Sequence, residues 1–271
     1  MAEIIEQYQR FLQLRNLAPR TIKIYFSIVA RFLEQHPEPL ETSNDDIITF
    51  ALQGNASRTR EQTIGALQHL FKGVYNQPKR LEYILKVKRE EYLPDILSVD
   101  EMQRIFRGTK NLKHKAILSL IYYGALRISE AVNLKIEQID KSGIIKIVQS
   151  KGAKDRKVPL NNECMHVLRM YYKKYKPKLY LFNGQNKPTY SDKSIQKILK
   201  AQLTKQCINK NVTVHGLRHS RATHLLDAGM DIKFLKELLG HTKIETTERY
   251  THLTTTSLQQ AIDKADRRIA A

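Results

Sequence analysis

The chain has 271 residues, which is enough for one large domain or two smaller ones with buried cores. The net charge is +19 and the mean hydropathy is −0.47. No run of about 18 apolar residues occurs, so we do not expect a membrane-spanning protein. The acidic, helix-like start MAEIIEQYQRF does not fit a secretory signal. Cys164 and Cys207 form neither a zinc pattern nor a disulfide framework, so composition predicts a cytoplasmic protein.

Positive charge is concentrated in the later part of the chain. Residues 1–94 carry 13 Lys or Arg and 11 Asp or Glu, whereas residues 95–271 carry 33 and 16. Within 141–210 there are 17 basic residues and 3 acidic ones. A field of one sign attracts polyanions. A solvated basic surface that aids solubility is the alternative, but so uneven a distribution favours a nucleic-acid partner.

The first part of the chain has the pattern of successive helices. Apolar residues recur at helical spacing from Ile4 to Leu12 and again from Ile22 to Leu33, with Pro19 well placed in the first turn of the second helix. Helices over 45–52 and 58–75 follow. We therefore predict an all-helical domain over 1–85, and the charged, proline-containing segment 86–97 predicts an interdomain linker.

The remainder, 98–271, has the pattern of a larger domain with one β segment. Ser98 and Glu101 form a capping box, and the apolar helix over 113–123 is expected at the centre of the core. β-branched residues on both sides of the turn SKGAKD predict a hairpin over 144–160. Further helices are predicted over 162–175, 191–206, 216–228 and 232–239. The fold class is therefore mainly α with a small β-hairpin.

The run from Thr213 to Thr251 contains four of the nine histidines, a fifth, His252, directly follows it, and Tyr250 lies at its end. His215 and Arg218 are three positions apart at a helix start and so share a face, where a guanidinium can bind two phosphate oxygens. An isolated pair of this kind is more often a surface feature, but Tyr250 and His241 accompany it. A phenol of pKa near 10 needs help to lose its proton before it attacks a phosphate. The run predicts a phosphate site with a tyrosine nucleophile.

Two upstream residues fit the same chemistry. Arg127, just past the apolar helix, is expected to have an anion or carboxylate partner, with Glu130 as its orienting neighbour. Lys151, in the hairpin turn, is placed to protonate a leaving oxygen, although a backbone contact or a solvated charge explains it equally well. The clustered histidines lack an HExxH motif or a cysteine partner, so we predict no metal site.

Five segments together resemble one known family. GALRISE, SKGAKDRKVPL, HGLRHSRATHLL, LLGHTKIETTERYTH and the N-terminal LAPRTIKIYFSIVARFL resemble the tyrosine recombinase (phage integrase) family, in particular its small Xer-like members. The resemblance spans nearly the whole chain. It implies an N-terminal helical core-binding (SAM-like) domain and a mixed α/β catalytic domain, which close around DNA as a clamp.

The resemblance also implies a catalytic set and a mechanism without metal or ATP. In this family the tyrosine attacks the scissile phosphate to give a 3′-phosphotyrosyl link and a free 5′-hydroxyl. The two arginines stabilise the phosphate charge, the lysine protonates the leaving oxygen, the first histidine accepts the tyrosine proton, and the second donates a hydrogen bond to the phosphate. The corresponding residues here are Arg127, Lys151, His215, Arg218, His241 and Tyr250.

Several contacts with partners follow from the same resemblance. The partner is double-stranded DNA with a specific recombination site, which places the protein at the nucleoid. The amphipathic tail 254–271 either packs on its own domain or docks on a neighbouring protomer, and we favour the second, with a tetramer on DNA. An accessory recombinase or regulator is a further possible partner. The expected DNA contacts are Arg15, Arg20, Lys23, Arg58, Arg60, Lys154, Arg156 and Lys157.

Three functions remain to be weighed. The first is a site-specific recombinase that resolves chromosome or plasmid dimers, or integrates and excises a mobile element. The second is a type IB topoisomerase-like enzyme that nicks and relaxes one duplex, and the third is a DNA-binding relative without catalysis. The six filled positions argue against the third, and the separate helical domain and the amphipathic tail favour the first. That function requires the GALRISE turn, the 144–160 hairpin and Tyr250 to meet in one cleft.

Overall fold

A computed structural model describes residues 2–54, 56–82, 95–148, 155–185, 187–240 and 247, apart from the side chains of 57 and 58. The chain divides into two compact units, Met1–Tyr92 and Leu93–Ala271. Of the linker predicted over 86–97, only residues 95–97 are described, so its limits stay a prediction. No helix in these ranges is long and apolar enough to cross a membrane.

The first unit is built from helices. They are α1 (Ala2–Leu14), α2 (Pro19–Gln35), α3 (Asn44–Leu52) and α4 (Ser57–Gly73). α2 begins at Pro19, as predicted, because the fixed φ of proline suits a first turn. The Ser43 side chain accepts a hydrogen bond from the Asp46 backbone N–H and so begins α3. Tyr8 and Phe32 are buried in the core, and the Tyr8 hydroxyl donates to the Ala66 carbonyl at 2.8 Å.

The second unit is helical around one hairpin, which confirms the predicted fold class. Its elements are α5 (Val99–Gly108), α6 (Leu112–Tyr123), α7 (Ile128–Val132), a 3-10 turn (Ile136–Gln138), β1 (Ile144–Ile147), β2 (Arg156–Pro159), α8 (Asn162–Tyr175), α9 (Asp192–Lys205), α10 (Val214–Asp227) and α11 (Ile232–Leu239). β1 and β2 pair antiparallel, with Ile145 opposite Val158. The capping box of Ser98 and Glu101 begins α5, as predicted.

The sequence missed one short helix and the start of another. α7 has only five residues, too few for an apolar periodicity to stand out. α10 begins at Val214, two residues before the predicted start, because the Thr213 side chain accepts from the Gly216 backbone N–H and caps the helix there.

α6 is the centre of the second core. Its residues from Ala116 to Tyr123 are all buried, and it packs against α8 and α10. A helix that is apolar on every side is covered by neighbours on every side. Beside it, Ala125 and Ala222 pack with Leu235 and Leu239 in a small separate cluster. This cluster brings the C-terminal end of α11 against the turn that follows α6.

Candidate active site

The turn after α6 presents backbone oxygen to the interior. Gly124 ends the helix, and Ala125 has the left-handed φ of 46°. That conformation costs a non-glycine residue about 1 kcal/mol. The Ala125 carbonyl accepts a hydrogen bond of 2.8 Å from Arg218 Nη1, so the turn is held by a side chain of α10.

Arg218 is one of the largest fully buried side chains, with 1% of its surface exposed. A buried guanidinium must find acceptors, because the loss of its hydration is otherwise not compensated. Besides Ala125, Arg218 Nη2 donates to the Leu239 carbonyl at 2.6 Å. Arg218 therefore ties together α10, the turn after α6 and the end of α11.

Glu130 is the carboxylate around which the arginines gather. Its Oε1 accepts from Arg127 Nη1 at 2.8 Å, and its Oε2 accepts from the Arg127 backbone N–H at 2.8 Å. Arg156 forms a bidentate pair with the same two oxygens at 2.9 and 2.7 Å, and Arg218 Nη1 lies 3.9 Å from Oε2. The predicted contact of Arg127 with Glu130 is thus confirmed.

Electrostatics keep Glu130 ionised. Burial alone would raise the pKa of its carboxyl group. Together, the hydrogen bonds and charge of Arg156 and the hydrogen bonds from the backbone and side chain of Arg127 outweigh burial and lower the pKa to about 2. Glu130 is therefore a fixed negative charge at any ordinary pH, and it can hold Arg127 in one orientation.

The C-terminal end of α11 collects the same arginines. The last carbonyl groups of a helix have no partner within the helix and carry its negative partial charge. Here three consecutive carbonyls accept from three arginines: Leu238 from Arg156 Nε (2.9 Å), Leu239 from Arg218 Nη2 (2.6 Å) and Gly240 from Arg127 Nη2 (3.5 Å). Gly240 has a left-handed φ of 64°, which ends the helix one residue before His241.

His215 lies in the first turn of α10, three residues before Arg218. Its side chain reaches the surface, and its ring meets that of His219 edge-on with 4.4 Å between centroids. Partial burial of the ring, and then the positive charges of Arg218 and Arg127, lower the pKa of His215. The imidazole is therefore neutral at neutral pH, which is the form that accepts a proton.

The structure brings three of the six predicted catalytic residues together. Arg127 and Arg218 lie at Glu130 and the end of α11, and His215 is close enough to both arginines for their charges to lower its pKa, whereas Lys151, His241 and Tyr250 lie outside the described residues. The expected meeting of the GALRISE turn with the hairpin is visible through Arg156, since β2 reaches Glu130 of α7. An open groove runs from there along α7 to the end of β1, lined among others by Arg127, Glu130, Asn133, Gln138 and Val148.

The predicted DNA contacts fall into different environments. Arg15, Arg20, Lys23 and Lys157 are exposed, and Arg60 is half-buried with its Nε donating to the Gly54 carbonyl at 2.8 Å. Lys154 and the side chain of Arg58 lie outside the described residues. Arg156 is interior instead, with 6% of its side chain exposed and its guanidinium engaged by Glu130 and Leu238.

The sequence did contain a signal for the inward position of Arg156. Residues two apart in a strand point to the same face, and Val158 is an evident core residue. Arg156 and Val158 are both buried, whereas Lys157 and Pro159 are exposed. The high basic content of the hairpin concealed this difference.

Two family profiles match the chain. The phage integrase family matches residues 95–257, and the N-terminal SAM-like domain of phage integrases matches residues 4–80. The first range contains Arg127, Arg156 and Arg218, the arginine cluster around Glu130.

Relatives and solved structures agree with these profiles. The chain is 35% identical to the tyrosine recombinase XerA of Pyrococcus horikoshii, over 97% of this chain and 94% of the relative. A crystal structure of XerA recombinase is 28% identical with a TM-score of 0.59, covering 97% of this chain and 98% of that chain. The XerH site-specific recombinase bound to palindromic difH substrate is similar in fold, with 21% identity, a TM-score of 0.76 and coverage of 93% and 82%.

Proposed function

The chain belongs to the phage integrase family and is a tyrosine recombinase that cleaves and rejoins DNA at specific sites, and we propose that Tyr250 is its nucleophile within a six-residue catalytic set. Its near full-length relatives are recombinases, which favours this activity over relaxation of a single duplex and over DNA binding without catalysis.

In the proposed reaction the Tyr250 oxygen forms a bond to the scissile phosphorus while the bond from phosphorus to the 5′-oxygen breaks. The phenol proton passes to His215, and Lys151 gives a proton to the leaving 5′-oxygen. Arg127 and Arg218 stabilise charge on the non-bridging oxygens, and His241 donates a hydrogen bond to the phosphate. The 3′-phosphotyrosyl link retains the energy of the broken bond, so rejoining needs neither ATP nor a metal.

One observation carries the proposal. Arg127 and Arg218 come from segments far apart in the sequence, yet both lie beside Glu130 and donate to the end of α11. His215 is on the same helix as Arg218 and has a lowered pKa, which suits a proton acceptor. Two arginines with a neutral histidine form a phosphate site with a base beside it.

The partner is double-stranded DNA with a recombination site, which would place the protein at the nucleoid. On this DNA the protein acts as a tetramer linked by the tail 254–271, a segment outside the described residues. Replacing Leu258 and Ile262 by aspartate is expected to reduce tetrameric complexes on DNA to smaller ones, as measured by their mass in solution. Unchanged complexes would favour packing of the tail on its own domain.

An accessory recombinase or regulator would appear as a requirement for a second protein in two-site recombination.

A nicked suicide substrate tests the nucleophile. The wild-type protein is expected to form a covalent adduct that resists denaturation, and Tyr250→Phe to form none, because phenylalanine has no oxygen to attack with. Tyr172→Phe is the matched control, since Tyr172 is an exposed tyrosine of α8. Equal adduct formation by Tyr250→Phe and wild type would refute the assignment. Recombination of a plasmid with two sites, compared with relaxation alone, then measures the exchange itself.

A further inference from the structure

Arg156 is a buried arginine for which the six-residue reaction has no role. It lies in β2 between residues 155 and 157, which are exposed, and only 6% of its side chain is exposed. Burial of a guanidinium is unfavourable until its partners compensate for the lost hydration. Such a residue is expected to have a specific task, because an apolar side chain in the same place would stabilise the hairpin at least as well.

Within the described residues, the hydrogen bonds of Arg156 reach Glu130 and the end of α11, which also hold Arg127 and Arg218. Its Nη1 and Nη2 bind both oxygens of Glu130, the carboxylate that Arg127 also contacts. Its Nε donates to the Leu238 carbonyl, next to the carbonyls that accept from Arg218 and Arg127. β2 is thereby joined to α7 and α11 at their contacts with the site.

We propose that Arg156 is a positioning residue for DNA cleavage, which holds Arg127 against the scissile phosphate by fixing Glu130 and holds the end of α11 from which the chain continues to His241. This inference rests on the proposed function, because it assigns Arg127 to the phosphate. Arg156 itself touches no reacting atom and acts through Glu130 and Leu238.

Geometry explains why an arginine is needed. A carboxylate held from one side can rotate about its terminal bonds. The two parallel bonds from Arg156 fix the plane of the Glu130 carboxylate and leave its other lone pairs directed at the Arg127 backbone and guanidinium. Arg127, with 35% of its side chain exposed, is then held in one orientation where it lines the groove. A lysine has one nitrogen and cannot bind both Glu130 oxygens and the Leu238 carbonyl with the same geometry.

The first measurement separates cleavage from DNA binding. Arg156→Met and Arg156→Lys are compared with Lys146→Met, which removes a positive charge from an exposed position on the opposite strand. With the substrate saturated, both Arg156 variants are expected to form adduct roughly 10- to 100-fold more slowly than wild type, at an unchanged Kd for DNA. Lys146→Met is expected to cleave at the wild-type rate. Thermal unfolding confirms that each variant is folded at the assay temperature.

The second measurement separates positioning of Arg127 from a merely structural role. In a methylphosphonate substrate the scissile group is neutral, so cleavage no longer depends on a guanidinium to balance its charge. We expect the rate deficit of Arg156→Met to fall to about twofold or less on this substrate. An equal deficit on both substrates would mean that Arg156 supports the fold in general and would overturn the proposal.

A double-mutant cycle tests the route through Glu130. If Arg156 acts through this carboxylate, Arg156→Met slows cleavage much less in a Glu130→Gln background than in wild type. Additive effects would overturn the proposal, as would wild-type cleavage by both Arg156 variants. These failures differ from failure of the proposed function, in which wild type itself would form no adduct or Tyr250→Phe would form as much as wild type.

Discussion

At the level of single residues, Glu130 is the carboxylate that three arginines share. It is mostly buried and contacts the backbone and side chain of Arg127 as well as the guanidinium of Arg156. Its negative charge allows positively charged side chains to lie close together away from water. Protonation of this one group would weaken several contacts at once.

The lowered pKa of Glu130 predicts a specific loss of stability in acid. Its ordinary value is 4.5 and its folded value is about 2, so its contribution is complete above pH 4.5 and is lost as pH falls towards 2. The pH-dependent part is on the order of 3 kcal/mol. Urea unfolding at neutral pH and at about pH 3 should show the stability difference between wild type and Glu130→Gln shrinking in acid. A difference that stays constant with pH would contradict this reading.

The lowered pKa of His215 predicts the pH dependence of cleavage. Because the folded pKa lies below 6.5, the ring is neutral above that pH and cleavage should be independent of His215 protonation there. The rate should fall only when the pH drops through the lowered pKa. His215→Gln should reduce single-turnover cleavage by about 100-fold or more and remove this acid limb. His219→Gln is the control, and an acid limb that survives in His215→Gln would exclude His215 as the base.

At the level of elements, the end of α11 links helix geometry to chemistry. The Gly240 backbone has a positive φ, and its carbonyl faces Arg127. Gly229, just past the end of α10, also has a positive φ, of 83°. Both glycines have a positive φ, but among the contacts described only Gly240 adjoins the arginine cluster.

Gly240 and Gly229 offer a matched test of whether the end of α11 positions the site. Gly240→Ala and Gly229→Ala should each cost about 1 kcal/mol of stability, because alanine is strained at positive φ. Only Gly240→Ala should also slow cleavage, since a shift of its backbone moves the acceptor of Arg127 and the residue before His241. Unfolding and single-turnover cleavage measured on both variants give the comparison. Equal cleavage by the two would show that the end of α11 does not position the site.

The elements also show what the sequence can and cannot predict. Long helices with an apolar stripe, such as α2, and the capped start of α5 follow from local rules, because spacing and capping act within one turn. α7 was missed because it is held by tertiary contacts of Glu130 rather than by its own pattern. The interior position of Arg156 was not predicted, because its hairpin is rich in basic residues and only the alternation of burial separates Arg156 from its exposed neighbour Lys157.

At the level of the whole molecule, the site depends on contacts that no local pattern contains. Arg218 and its acceptor Ala125 are 93 positions apart. The sequence identified the chemical types of these residues, and the resemblance indicated that they act together. It could not show that three arginines share a carboxylate and a helix end, because that arrangement arises only from the packing of α6, α7, α10 and α11.

Charge over the whole molecule leads to a prediction for DNA binding. Arg20 and Lys23 are exposed and three positions apart on α2. If both contact phosphate, replacing them by glutamine should lower the slope of log K against log salt by about 2. Lys72→Gln with Lys79→Gln changes the net charge equally, at exposed positions of the same unit outside the predicted contacts, and should leave the slope unchanged. Equal effects of the two pairs would mean that only overall charge matters.

The sharing of Glu130 by three guanidiniums has a consequence for electroneutrality. Three positive groups and one negative group leave this cluster with a formal charge of +2. A phosphodiester carries one negative charge, and attack by a phenolate adds a second at the pentacoordinate phosphorus. The cluster is therefore neutral as a whole only together with the transition state. Between reactions the guanidiniums of this cluster repel one another. Their repulsion is therefore best balanced at the moment when the DNA strand is being cut.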